Sequence, residues 1–330
     1  MTGLRSGFAL CLACLLLAFP AQASDAPVPS HRLFSFQDDE EIFESSGLVD
    51  RGDVVYTNND SGDDAVVYGV DPATGRTVSR TTYADSVHDV EAIAPGAGGA
   101  VWAGDIGDNS ERRDDIAVYR LQPRDGEHPG ERLTLAYTDG SHNAETLLVE
   151  PRTQRVFVVT KSAFGGTVYV APPHLVEGST PNRLRAFASV KGLVTDGSFF
   201  PDGRHVVLRT YGTASVYTFP AFELVGTVRL PSQPQGEGIS VGADGRVLVS
   251  SEGVHADVLE VTLPAALTAP TARASAAPAP RPPVPVDRAD PPSRSAGDWA
   301  GVGLVAVLVA GIGYLSVRAT RPTSPGGRRR

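Results

Sequence analysis

Cysteine is almost missing from this 330-residue chain: Cys11 and Cys14 are the only two, and both lie in the apolar stretch at its start. Everything downstream is therefore without a disulfide, a thiol nucleophile or a cysteine metal ligand, and must be stabilised by packing. Histidine is sparse too. Seven copies are scattered with no HExxH and no close pair, so no zinc site is indicated. No GxSxG elbow is present, and neither Ser45 nor Ser46 has an evident base partner. The net charge of -9 includes an Arg-rich tail, so the part before the tail is more acidic still. Nucleic acid is excluded as an expected partner, whereas divalent cations and basic or polar ligands are not.

The two ends carry the topology. Arg5, an apolar run from Phe8 to Phe19, and Ala21-Gln22-Ala23 before Ser24 have the layout of a cleaved secretory signal over residues 1–23. The apolar run is too short for a bilayer core. Cys14 is followed by Leu15-Leu16-Leu17, whereas a lipidated cysteine would close the apolar region. Near the other end, residues 299–317 hold no charge and match the length of a membrane-spanning helix. Asp298 precedes it, and Arg318, Arg321 and Arg328 to Arg330 follow it in the tail, 318–330. Positive flanks stay cytoplasmic, so the expectation is a single-pass cell-membrane protein with its N-terminal domain outside. No LPxTG-type pentapeptide precedes the helix, which is therefore expected to stay as an anchor. Between them, residues 265–298 form a Pro/Ala-rich stalk, extended and semi-rigid.

What remains, residues 24–264, repeats itself. An acid in a short apolar strand is followed by a turn, a Val-rich strand with a polar end, and a strand ending in Val-Tyr or its like. The acids are Glu44, Glu91, Glu145, Asp196 and Glu237, returning every 41 to 54 residues. Units of that period indicate an all-β fold, a β-propeller of five blades, with six as the alternative. A β-sandwich would leave the returning acid unexplained. Turns such as Pro201-Asp202-Gly203 and Ala243-Asp244-Gly245 suit tight hairpins. Closure is expected to recruit Leu33-Phe34-Ser35-Phe36 into the last blade.

First strands line the channel of a propeller, so the five acids are expected to form a ring. The ends of the second strands add Asn59, Asp60, Asp105, Asp108, Lys161, Arg209, Tyr211 and Glu252 at one mouth. Carboxylates this crowded need compensation, and hard oxygen ligands suit Ca²⁺. The expected metal ligands are Glu44, Glu91, Asp105, Asp108, Glu145, Asp196 and Glu237. The expected ligand-binding residues are Asn59, Asp60, Lys161, Arg209, Tyr211 and Glu252. The alternative is that the acids cap strand-end amides or pair with neighbouring blades. Should the site be catalytic, Lys161, Arg209 and His88 are the candidates, His88 as a general base in a turn beside Asp89.

The strings Asn59-Asp60-Ser61-Gly62-Asp63, Val90-Glu91-Ala92-Ile93, Gly104-Asp105-Ile106-Gly107-Asp108-Asn109, Ala144-Glu145-Thr146-Leu147, Thr160-Lys161 and Leu208-Arg209-Thr210-Tyr211 resemble those of secreted or membrane-anchored actinobacterial WD40-like β-propellers. The likeness runs from Ile42 to Val261 and implies the fold. Gly236-Glu237-Gly238-Ile239-Ser240 followed by Val249-Ser250-Ser251-Glu252 is similar to calcium-dependent β-propeller phytases, and channel carboxylates are shared with lactonase and esterase propellers. Two functions follow as expectations: an extracytoplasmic binding or scaffold protein with a calcium-binding channel, facing an extracellular ligand or protein, or a calcium-dependent hydrolase of phosphoesters or lactones.

Overall fold

Runs such as His205-Val206-Val207-Leu208 have no polar face, and a strand of this kind must be covered on both sides. The computed structural model, which describes residues 26–37, 40–60, 64–178 and 180–269, covers them by setting sheet against sheet around a ring.

The N-terminal strand β1 (Ser30–Ser35) is followed by a four-strand antiparallel run of β2 (Ser45–Asp50), β3 (Val55–Asn59), β4 (Val66–Val70) and β5 (Thr77–Thr82). The second run is β6 (Val90–Pro95), β7 (Val101–Asp105), β8 (Ile116–Leu121) and β10 (Glu131–Tyr137), with the two-residue β9 (Gly126–Glu127) attached in parallel to β5. The third comprises β11 (Ala144–Val149), β12 (Val156–Thr160), β13 (Thr167–Val170) and β14 (Asn182–Ser189). The fourth comprises β15 (Asp196–Phe199), β16 (His205–Arg209), β17 (Thr213–Thr218) and β18 (Leu224–Arg229). The last is β19 (Gly236–Val241), β20 (Val247–Ser251) and β21 (Asp257–Val261), completed by β1. A parallel pairing of β10 with β14 joins the second and third runs into one eight-stranded sheet.

First strands lie against first strands in cyclic order: β2 by β6, β6 by β11, β11 by β15, β15 by β19, and β19 by β2 again. This is an all-β, propeller-like arrangement. Its core is divided accordingly into five apolar clusters, each drawn from two neighbouring runs. Alternation along one strand feeds two clusters: Val206 and Leu208 pack toward the third run, and Val207 toward the fifth. The absence of a polar face is thereby explained.

Neighbouring first strands share no ladder, so side chains stitch them. Ser46 Oγ donates to the Glu91 carbonyl at 2.6 Å, Asp50 N–H to Ser240 Oγ at 2.8 Å, and Val241 N–H to Ser198 Oγ at 3.1 Å. The approach is close enough that a Cβ on Gly47 would lie 2.4 Å from Ile93 N, and one on Gly238 2.8 Å from the Ser46 carbonyl. A narrow ring requires such glycines. On the side of the turns between first and second strands, Arg246 grips Asp50 with two bonds of 2.7 and 2.8 Å.

Ring closure falls to β1. Phe34 and Phe36 fill the cluster between the first and last runs with Leu48, Val55, Leu248 and Val258, and Phe36 is wholly buried. Leu263 lies against the cluster between the fourth and fifth runs, and so does Leu267, three residues beyond the expected boundary at residue 264. Residues 1–23 and 270–330, which carry the expected signal, most of the stalk, the 299–317 span and the tail, lie outside the described residues. Among the described residues no helix is long and apolar enough to cross a membrane.

Candidate functional site

The acids reach the mouth of the ring through irregular entries into their sheets. Val90 pairs with Asp105 and Ala92 with Gly104, leaving Glu91 bulged; Ala144 pairs with Thr160 and Thr146 with Val159, leaving Glu145 bulged. Glu237 falls in the shift between Gly236 and Ile239. A bulged residue leaves the ladder, and its side chain is re-aimed. Asp196 enters without a bulge, opposite Arg209. All four acids are buried.

Glu44 does not belong to this set. It precedes β2, and the shift in the first run lies between Ser45 and Leu48, so Ser46 stands where the other runs carry an acid. Glu44 is instead tied by its backbone, its N–H donating to Asn59 Oδ1 and its carbonyl accepting from Asp60 N–H. Glu44 lies two residues before that position, outside the strand.

Three carboxylates converge. Asp60 follows β3, Asp89 precedes β6 and Glu91 lies within it, and their oxygens are within 4.8 Å of one another. Asp89 Oδ1 and Glu91 Oε2 are buried without a hydrogen-bond partner. Burial, then Glu145, Asp60 and Asp89, push the Glu91 carboxyl well above its usual range. Burial first, then Asp60, push Asp89 up to about 6. Gly107 makes room for this meeting: a Cβ there would lie 2.3 Å from Asp89 Oδ2 and 2.5 Å from Glu91 Oε1. Asp89 is not among the metal-binding residues expected from the sequence because it lies in a loop, although its i, i+2 relation to Glu91 on an extended chain links the two.

Asp105 and Asp108, expected as ligands, are occupied otherwise. Asp105 accepts the N–H groups of His88 (3.2 Å) and Asp89 (3.0 Å) and pairs with Arg113 at 2.8 Å. It thereby fixes the loop that carries Asp89. Asp108 accepts the N–H groups of Arg112 and Arg113, both at 2.7 Å, and holds a turn. His88 is exposed, in a groove with Asp105, Arg113 and Arg132.

Beside the three carboxylates lies a second group. Lys161 Nζ pairs with Glu145 at 2.7 Å and sits 5.4 Å from the centre of the Tyr211 ring. Burial would lower the Lys161 pKa, but Glu145, Glu237 and Tyr211 outweigh it and raise it. Glu237 Oε2 is buried without a partner; burial first, then Glu145 and Glu252, push this carboxyl up to about 8, against the pull of Lys161. Glu252 is pushed to about 7 by burial, Asp60 and Glu44. Asp196 Oδ2 accepts from the Ile239 N–H, and burial raises its carboxyl well above the usual range.

Arg209 is not a free ligand clamp. It is fully buried, and its guanidinium donates to the carbonyls of Gly238 (2.6 Å) and Ser250 (2.7 Å) and to Gln233 Oε1 (2.8 Å). Asn59 is likewise structural, its amide spanning Phe43 N–H, Glu44 N–H and the Glu41 carbonyl. Of the residues expected to bind a ligand, Asp60, Lys161, Tyr211 and Glu252 remain at the mouth. Together with Asp89, Glu91 and Glu237, such a set can take a hard cation in oxygen ligands, and burial raises the Asp89 and Glu237 carboxyls to about 6 and about 8.

Comparison with protein-family models and with curated proteins gives no match. Among solved structures the chain is similar to a glucose dehydrogenase (10% identity, 72% of this chain and 100% of that one, TM-score 0.43). It is similar also to the calcium-binding protein regucalcin from Agrobacterium tumefaciens (13%, 67% and 76%, 0.43) and the soluble aldose sugar dehydrogenase from Escherichia coli (8%, 71% and 99%, 0.42). At that degree of overlap these likenesses carry nothing about the site.

Proposed function

We propose that this chain is an exported five-bladed propeller, anchored through residues 299–317, that binds calcium at its acidic mouth and presents it to an extracellular ligand. The observation that carries the calcium reading is the convergence of Asp60, Asp89 and Glu91 with two buried carboxylate oxygens left unpartnered. Like charges held this close are costly, and each buried oxygen without a donor adds to the cost. Protons can neutralise them, but a divalent cation satisfies all three at once. The ligands come from two loops and one strand, and Ca²⁺ tolerates such irregular oxygen sets better than Mg²⁺ does. Three carboxylates suit the weak affinities at which extracellular calcium modules work.

A binding role is favoured over hydrolysis by the state of the cations. Arg209 is committed to carbonyls and Lys161 to Glu145, so neither stands free to steady a developing negative charge. The hydrolytic reading rests on Glu237 and Glu252, whose carboxyls titrate near neutrality beside Lys161. Turnover of a phosphomonoester or lactone, abolished by Glu237→Gln, would establish it.

The test of the calcium reading is the melting temperature of the full chain in mild detergent, with chelator and with about 1 mM calcium. A rise of several degrees is expected, and it disappears in Glu91→Gln. No shift in the parent chain sinks the calcium reading.

A further inference from the structure

At the end of the ring away from the acidic mouth, the third and fourth runs carry a cluster of arginines. Two adjoining grooves of about 480 and 570 Å³ share Arg155 and His174; Arg183 and Arg185 line one, Arg152 and Arg204 the other. None of the five arginines has an ion-pair partner among the described residues. Arg152 and Arg155 donate to the carbonyls of Asp202 and Ala171. Two acids lie beside them: Glu150, in the same groove, accepts from Thr153, and Asp202 accepts from His205 and the Arg204 N–H. All but Arg155 are exposed, and Val176, 56% exposed, sits among them.

From this we infer that the arginine-rich surface of the third and fourth units docks on anionic lipid headgroups. Arginine is the side chain suited to phosphate, because its planar fork donates two parallel bonds. An exposed apolar residue among cations fits the boundary between headgroups and acyl chains. The side is right as well. Arg152 and Arg204 lie in turns joining first to second strands, at the far end of those strands from the carboxylates. Val261 pairs with Val247, just after the equivalent turn of the last run, so the chain leaves its last strand on that same side. The inference rests on the anchoring proposed above. A span beginning at residue 299 keeps the surface within reach of the bilayer, since about 30 residues separate it from the end of the described domain. Tethering supplies the high local concentration at which modest attractions suffice. Docked this way, the acidic mouth faces outward to its ligand.

The experiment uses the full chain in lipid nanodiscs of phosphatidylcholine, with or without about 30% phosphatidylglycerol, modified by phenylglyoxal and read by peptide mass. In anionic discs, Arg152, Arg183, Arg185 and Arg204 are expected to react about fivefold more slowly than in neutral discs, and about 0.5 M salt restores the rate. Arg112, exposed on the mouth side, is unchanged. The surface variant R183Q/R185Q/R204Q removes the protection of Arg152. Equal rates in both discs, with the protein retained, overturn the inference. Protection by soluble polyphosphate but not by phosphatidylglycerol overturns it in favour of an anionic polymer. Protein absent from discs of both compositions refutes the anchor and the docking surface together.

Discussion

Replacing Glu237 by Gln tests the electrostatics of the mouth without disturbing its shape. The carboxyl is 3% exposed, has one oxygen without a partner, and is pushed from 4.5 to about 8, first by burial and then by Glu145 and Glu252. The folded chain therefore holds this proton more tightly than the unfolded chain does. Its stabilising contribution is complete below about pH 4.5 and is lost as the pH rises through 8. At roughly 1.4 kcal/mol per pH unit, the ceiling over that window is about 5 kcal/mol. Relaxation and solvent at the mouth reduce the cost, so about 2–3 kcal/mol is the expected size. Gln cannot ionise. Urea unfolding in the presence of chelator should give Glu237→Gln and the parent chain equal stability near pH 4.5. Near pH 9 the variant should be the more stable by that amount. A difference that stays constant with pH refutes the reasoning.

Three further outcomes follow from the geometry. Gly107→Ala places a methyl group against the Asp89 and Glu91 carboxylates, and calcium affinity measured by titration calorimetry should fall at least about tenfold, or 1.4 kcal/mol. Arg209→Ala leaves the Gly238 and Ser250 carbonyls and the Gln233 side-chain oxygen unpaired in a buried site; a loss of about 3–5 kcal/mol in denaturant unfolding is expected, whereas a loss under 1 kcal/mol would show that the guanidinium is dispensable. Phe36→Ala opens the cluster that closes the ring and should cost about 3–5 kcal/mol, with hydrogen exchange rising first in β1 and β21.

The architecture was legible because repetition is a global signal. A Val-rich strand covered on both faces, a turn at its foot and an acid returning at a blade-length interval left little freedom, and the strands at Val101, Val156, Val206 and Val247 formed as the pattern required. Leu33 to Phe36, read as the closing strand, does close the ring. The site was less legible, because it depends on register and on which partner a polar group finds first. Glu44 lies two residues before the position that Ser46 occupies, just outside β2. Asp105 and Asp108 look like ligands in the string Asp105-Ile106-Gly107-Asp108, yet nearby N–H groups and Arg113 claim them. Arg209 has the chemistry of an anion clamp, but in β16 its guanidinium lies beneath carbonyls of the next run. Asp89, in contrast, lies outside the repeated strands; its i, i+2 spacing to Glu91 is legible in the sequence, but the approach of Asp60 to the pair is not.

The central claim is that Asp60, Asp89 and Glu91 together hold a calcium ion. Crystals grown with calcium and measured at long X-ray wavelength test it most directly. An anomalous peak is expected about 2.3–2.6 Å from an oxygen of each of the three residues. Ordered carboxyls bonded to one another, with no peak between them, would contradict it.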